Sequence, residues 1–170
     1  GISPYLRLAF KFRLGQIEGN QDQVHLLATG NTGHHFYDVG TFFQVNKVEK
    51  HFPSPDPNYT VEIDAIGISI GGVVARYAAS GLPLIDQDTE TMKQLQLKRL
   101  FTISSPHRGA KMASLPALTS QHLDVRSGSE FLHRLNSAGA DRSGPITYDI
   151  VAYTRLEDGV VGAANTAPPN

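Results

Sequence analysis

Ser69 is the residue of this sequence best placed to do chemistry. It stands at the centre of Gly67-Ile68-Ser69-Ile70-Gly71, a G-x-S-x-G string. A strand pattern precedes it and a helix pattern follows, so the turn between them must be tight. Such a turn forces the serine into a strained backbone conformation. Small residues two positions either side, Gly67 and Gly71, let the two backbones approach. The hydroxyl then stands at the C-terminal edge of a sheet, beside a helix N-terminus whose amides favour a developing negative charge. That is the setting for nucleophilic attack on a carbonyl. An alcohol needs a base to take its proton, and imidazole suits the task at neutral pH. A buried carboxylate would fix the imidazole's tautomer, and amides aimed at the tetrahedral oxygen typically contribute ~3–4 kcal/mol each. The five-residue string alone is short enough to arise by chance. A Gly-rich turn with an ordinary serine is the competing reading.

The elements that must position Ser69 follow from periodicity. Val61–Ile68 first alternates and then runs apolar, as a strand entering the middle of a sheet does. Gly71–Ser80 places Val73, Val74, Tyr77 and Ala78 on one helical side, with Gly81 as its stop. Leu97–Ser104 and Thr147–Tyr153 read as further strands, and Ser129–Asn136 as a helix through Phe131, Leu132 and Leu135. Upstream, Leu6, Leu8, Phe10, Phe12 and Leu14 share one parity while Arg7, Lys11 and Arg13 take the other. This predicts an edge strand or hairpin over Tyr5–Leu14, its basic face solvated. Val24–Thr29 reads as a buried strand ending in the loop Gly30-Asn31-Thr32-Gly33. Val39–Phe52 reads as an amphipathic helix through Phe42, Val45, Val48 and Phe52, closed by Pro53, Pro55 and Pro57. Strands alternating with helices predict an α/β fold with a mostly parallel sheet and flanking helices. No linker divides the chain, so residues 1–170 are expected to form a single domain.

Composition narrows the function. A charged fraction of 18% lies below the usual ~25% and argues against a disordered chain or coiled coil. Fifteen Lys+Arg against sixteen Asp+Glu leave no basic excess for nucleic acid. Cysteine is absent, which removes disulfides and thiolate catalysis but fixes no compartment. No apolar run reaches the ~18 residues of a membrane span. The chain starts at Gly1 with no signal peptide, as a trimmed or processed sequence would. His34 and His35 are adjacent, no His-Glu-x-x-His occurs, and Asp86 and Asp88 read as solvated loop charges, so no metal is expected.

The stretch V-E-I-D-A-I-G-I-S-I-G-G-V-V-A-R-Y-A-A resembles the nucleophile elbow of lipase-like α/β-hydrolases, of the triacylglycerol-lipase type. It includes the second glycine, Gly72, and the pair Arg76-Tyr77. Leu97–Gly109 resembles that family's next strand and its Pro-His-x-Gly turn. Ser127–Asn136 resembles its Gly-Ser-x-Phe-Leu-x-x-Leu-Asn helix start. Asp158-Gly159-Val160-Val161 resembles the loop that carries the triad acid. The likeness spans roughly Val61 to Ala164. It implies a serine hydrolase of the lipase/carboxylesterase type, with Ser69 as nucleophile, Asp158 as acid and the Ile70 amide as an oxyanion donor. Gly30-Asn31 occupies the place of the family's His-Gly loop, with Thr29 where the histidine stands, and Asn31 is the candidate there for the second donor. The implied partner is a small-molecule ester or lipid substrate, with no cofactor.

The same resemblance predicts a histidine after the acid. Twelve residues follow Asp158 and none is histidine. His25, His34, His35, His51, His107, His122 and His133 all precede it, and His107 matches the structural Pro-His turn. About thirty residues separate Gly30 from Val61, enough for one crossover where the family fits two. Leu115–Leu123 is the one loop available to cover the site. The chain therefore reads as a truncated or reduced version of the pattern. The alternative is a catalytically inactive hydrolase-like domain that binds an apolar ligand or a protein partner.

Overall fold

The computed structural model describes residues 45, 48–82, 93–110, 123–141, 148–154 and 161–167, all within the compact unit Thr32–Asn170. Among them run β1 (Ile63–Ile68), α1 (Ile70–Ser80), β2 (Leu97–Ile103), α2 (Glu130–Asp141), β3 (Asp149–Tyr153) and a short 3-10 turn at Ala163–Asn165. The predicted strand over Tyr5–Leu14 and the strand over Val24–Thr29 lie outside the described residues. Of the predicted helix Val39–Phe52, Val45 and Val48–His51 are helical, with Val45 and Val48 buried and Phe52 exposed.

The three described strands form one parallel sheet in the order β1-β2-β3. This is a small α/β fold. Ile63 pairs with Leu97 but Asp64 pairs with Arg99, so Lys98 is an extra residue in β2. The bulge lets Lys98 and Arg99 both stay exposed while Leu97 and Leu100 are both buried. Without it, Leu97 and Leu100 would fall on opposite faces of the strand.

One sheet face is covered by α1, which packs across β1 and β2 and meets α2. Leu100 and Thr102 of β2 are wholly enclosed there. Val73, Val74 and Tyr77 of α1 join Phe131, Leu132 and Leu135 of α2 in one apolar cluster, together with Val125 and Val161. The Tyr77 and Phe131 rings lie 5.3 Å apart between centroids. Every residue from Gly72 to Ser80 is buried, so α1 is an internal helix, not a one-sided surface helix. It stops where predicted, at Gly81, whose φ of 65° and ψ of 12° are left-handed and cost glycine little. Helix α2 continues to Asp141, past the expected end at Asn136. The apolar periodicity stops at Leu135, but the small residues beyond it permit helix. No described helix is long and apolar enough to cross a membrane.

On the other face the register aligns Ile66, Phe101 and Val151 in one row and Ile68, Ile103 and Tyr153 in the next. A row of Asp64, Arg99 and Asp149 precedes them. Arg99 grips Asp64 through two hydrogen bonds, Nε to Oδ1 at 2.9 Å and Nη2 to Oδ2 at 2.5 Å. The guanidinium hydrogen-bonded to Asp64 holds its carboxyl below the ordinary value of 3.8. Both side chains are nearly half exposed, and solvent screens such pairs strongly. Asp64→Asn is therefore expected to lower stability by no more than ~1 kcal/mol at low salt, a difference that high salt should erase in denaturant titrations.

Candidate active site

Ser69 follows β1 directly. Its amide donates to the Ile103 carbonyl at 2.9 Å, so the sheet ladder holds it at the C-terminal edge. Its backbone then turns to φ 54° and ψ −129°, a region that residues other than glycine rarely enter. Helix α1 begins at the next residue, Ile70, and the Gly72 amide donates back to the Ser69 carbonyl at 3.3 Å. Ser69 occupies the N-cap position, yet its side chain makes no cap hydrogen bond. The side chain is exposed. The hydroxyl is thus presented outward at the sheet edge and is not consumed by capping. Ile70 is the first residue of α1, and the first amides of a helix lack intrahelical acceptors. Its side chain packs against the apolar cluster.

The glycines around the turn do not divide as the spacing suggested. A Cβ on Gly67 would lie 2.5 Å from the Gly72 nitrogen and closer still to the Gly72 Cα. A Cβ on Gly72 would run into Ser105 Oγ and come within 2.8 Å of Thr102 Cγ2. A Cβ on Gly71 would meet nothing within 4 Å. The backbone that approaches Gly67 is thus that of Gly72 together with the Gly71 carbonyl carbon, which a Gly67 Cβ would meet at 2.9 Å, while a side chain is excluded at Gly72 and not at Gly71. The helix turns Gly71 outward and Gly72 inward, one hundred degrees apart.

His107 is wholly buried. Arg76 Nη1 lies 3.3 Å from its Nδ1, and Thr102 Oγ1 lies 3.1 Å from its Nε2. Arginine can only donate, so Nδ1 accepts, and the ring proton sits on Nε2 and points at Thr102. Burial, then the Arg76 charge, pushes the imidazole down to a pKa of about 3. A histidine so committed is no general base. Arg76 is itself buried and its pKa is lowered by desolvation, an effect opposed by Tyr148. Asn136 Nδ2 donates to the His107 carbonyl at 3.0 Å, and the Arg108 amide donates to the Asn165 carbonyl at 3.0 Å. Gly109, at φ 106°, presses against the Ser127 backbone. The turn after β2 is thus clamped by α1, by α2 and by the 3-10 turn. The sequence marked His107 as structural, but it carried no local signal for Tyr148, which lies far from Arg76 along the chain.

Of the remaining histidines, His51 and His133 are described and both are exposed. No hydrogen bond joins Ser69 to a histidine among the described residues. Asp158, Asn31, His25, His34, His35, His122, Asp86, Asp88 and residues 115–122 of the candidate covering loop lie outside the described residues. Of the four expected site residues, the described structure brings together Ser69 and Ile70.

The class of protein is thus a small parallel α/β fold with an exposed serine on a strand-to-helix turn. Residues 20–141 match the family model described as "Putative serine esterase (DUF676)", and the chain belongs to that family. The matched span takes in β1, the Ser69 turn, α1, β2 and α2. No curated protein and no solved structure is a significant match to the chain. Family membership supports a serine hydrolase-like function.

Proposed function

We propose that this chain is a carboxylic ester hydrolase of the lipase/carboxylesterase type, acting on lipid-like esters through an acyl-enzyme on Ser69. The observation that carries the reading is the backbone of Ser69. A residue other than glycine is held at φ 54° and ψ −129° with its hydroxyl exposed and uncapped. Strain of this kind costs ~1–3 kcal/mol and concentrates where function demands it. Ser69 Oγ attacks the ester carbonyl, a base takes its proton, and the alcohol leaves with a proton returned. Water then attacks the acyl-enzyme and releases the acid. The Ile70 amide, at the positive end of α1, stabilises the tetrahedral oxygen. Asn31 is the second donor and Asp158 the carboxylate that orients the base. His107, committed to Arg76 and Thr102, is not that base, and no described histidine is hydrogen-bonded to Ser69.

The test is labelling by a fluorophosphonate together with turnover of short p-nitrophenyl esters. The wild-type chain should gain one phosphonyl group and hydrolyse the ester. Ser69→Ala should lose the label and fall to the uncatalysed background. Equal labelling of the two proteins would move the nucleophile elsewhere. An unlabelled, inactive wild type would favour the second reading, a hydrolase-like domain that binds an apolar ligand or a partner.

A further inference from the structure

Ser69 shares its positive φ with one other described non-glycine residue, Ser104, at φ 48°. The two stand side by side. Ile68 pairs with Ile103 in the β1–β2 register, so Ser69 and Ser104 are the next residues of neighbouring strands. The Ser104 amide donates to the Tyr153 carbonyl at 2.9 Å, which closes the ladder to β3. After this kink the chain drops Ser105 beneath the Ser69 turn. Ser105 has no solvent exposure. Its hydroxyl donates to the Gly67 carbonyl at 3.4 Å. It also fills the space into which a Gly72 Cβ would point. One side chain therefore touches the strand leg of the turn, two residues before Ser69, and the helix leg, three residues after it. The hydrogen bond is long, so the contact is as much steric as electrostatic.

A rare backbone conformation persists only where the surroundings over-determine it. For Ser69 to relax, its two flanking legs must shift relative to each other, and Ser105 is wedged against both. We propose that Ser105 is a positioning residue for Ser69, held in place by the strained turn at Ser104. It touches no substrate and acts only through the geometry of the turn. The proposal rests on the reading of Ser69 as the nucleophile.

The test compares wild type, Ser105→Ala and Ser105→Cys in the full chain, with Cys returning an atom of similar bulk. Three readouts are taken: fluorophosphonate labelling rate, kcat and KM on a p-nitrophenyl ester, and amide hydrogen exchange at Ser69, Gly72 and Ser104, the hydrogen-bonded amides of the two turns. Ser105→Ala should label and turn over at least tenfold more slowly, with KM changed less than twofold. Its three amides should exchange faster, and Ser105→Cys should recover part of each loss. Wild-type labelling and exchange in the Ala variant would overturn the proposal. If the wild type itself takes no label, the nucleophile reading falls separately. Exchange then decides alone, with faster exchange supporting the wedge and unchanged exchange overturning it. Should Ser105→Ala fail to fold, Ser105→Cys carries the comparison on the same terms.

Discussion

Gly72→Ala is expected to destabilise the fold by about 3 kcal/mol or more, whereas Gly71→Ala, one residue away, should change stability by less than ~1 kcal/mol. The two glycines look alike in sequence. At Gly72 the added methyl runs into Ser105 and Thr102, which are buried at 0% and 1% exposure. Neither neighbour is the loose end of a long side chain, so neither can swing aside. The backbone of α1 must then lift from β2, and the apolar cluster of Val73, Val74 and Tyr77 lifts with it. At Gly71 the methyl enters open space, and the higher helix propensity of alanine favours the variant. Gly67→Ala should be at least as damaging as Gly72→Ala, since its methyl meets backbone atoms of Gly72. Urea titration of the three variants checks the order. Equal losses at Gly71 and Gly72 would contradict the packing described for the turn.

The second large effect is a loss of stability in acid that depends on His107. Its pKa is 6.5 in an unperturbed chain and about 3 in the fold, mainly because burial disfavours the imidazolium. Between these values the unfolded chain binds a proton that the folded chain refuses. Stability therefore rises with pH across that window and is fully present above about 6.5. As the pH falls it is lost progressively, until the folded histidine also titrates near 3. At ~1.4 kcal/mol per pH unit, the loss at the acid end is on the order of 5 kcal/mol. The Arg76 guanidinium makes protonation worse, because it lies against Nδ1 and would face a second cation. His107→Gln should lower stability at neutral pH by ~1–3 kcal/mol, since the amide replaces the ring bonds imperfectly. It should also flatten the profile between pH 6.5 and 3. The measurement is the thermal midpoint of both proteins against pH. Parallel curves would show that His107 does not drive the acid loss.

How much of this was legible beforehand differs between the sheet and the site. The β1–turn–α1 unit was legible almost to the residue. Apolar alternation gives way to helical spacing around Ser69, and Gly81 is the natural stop. The parallel α/β class followed from the same alternation of periods. These features are local, because side-chain period and turn chemistry are set by residues a few positions apart. The bulge at Lys98 was not legible, since an extra residue in a strand leaves a pattern easily read as a short apolar run.

The sequence by itself determined that a serine would stand between a strand and a helix, flanked by residues small enough for a tight turn. It also determined which residues of α1 and α2 would face a common core. Tertiary structure alone decided that a side chain is excluded at Gly72 and not at Gly71, and that Ser105 fills the space beneath the turn. It alone decided that His107 is neutral and bound to Arg76 and Thr102. Each of these depends on groups that the fold brings together from distant parts of the chain, Gly67 with Ser105 and Arg76 with His107. Local periodicity assigns a residue to a face. It does not say which atoms from another element will meet it there, because that is fixed by register, packing distance and the exclusion of water from the assembled core.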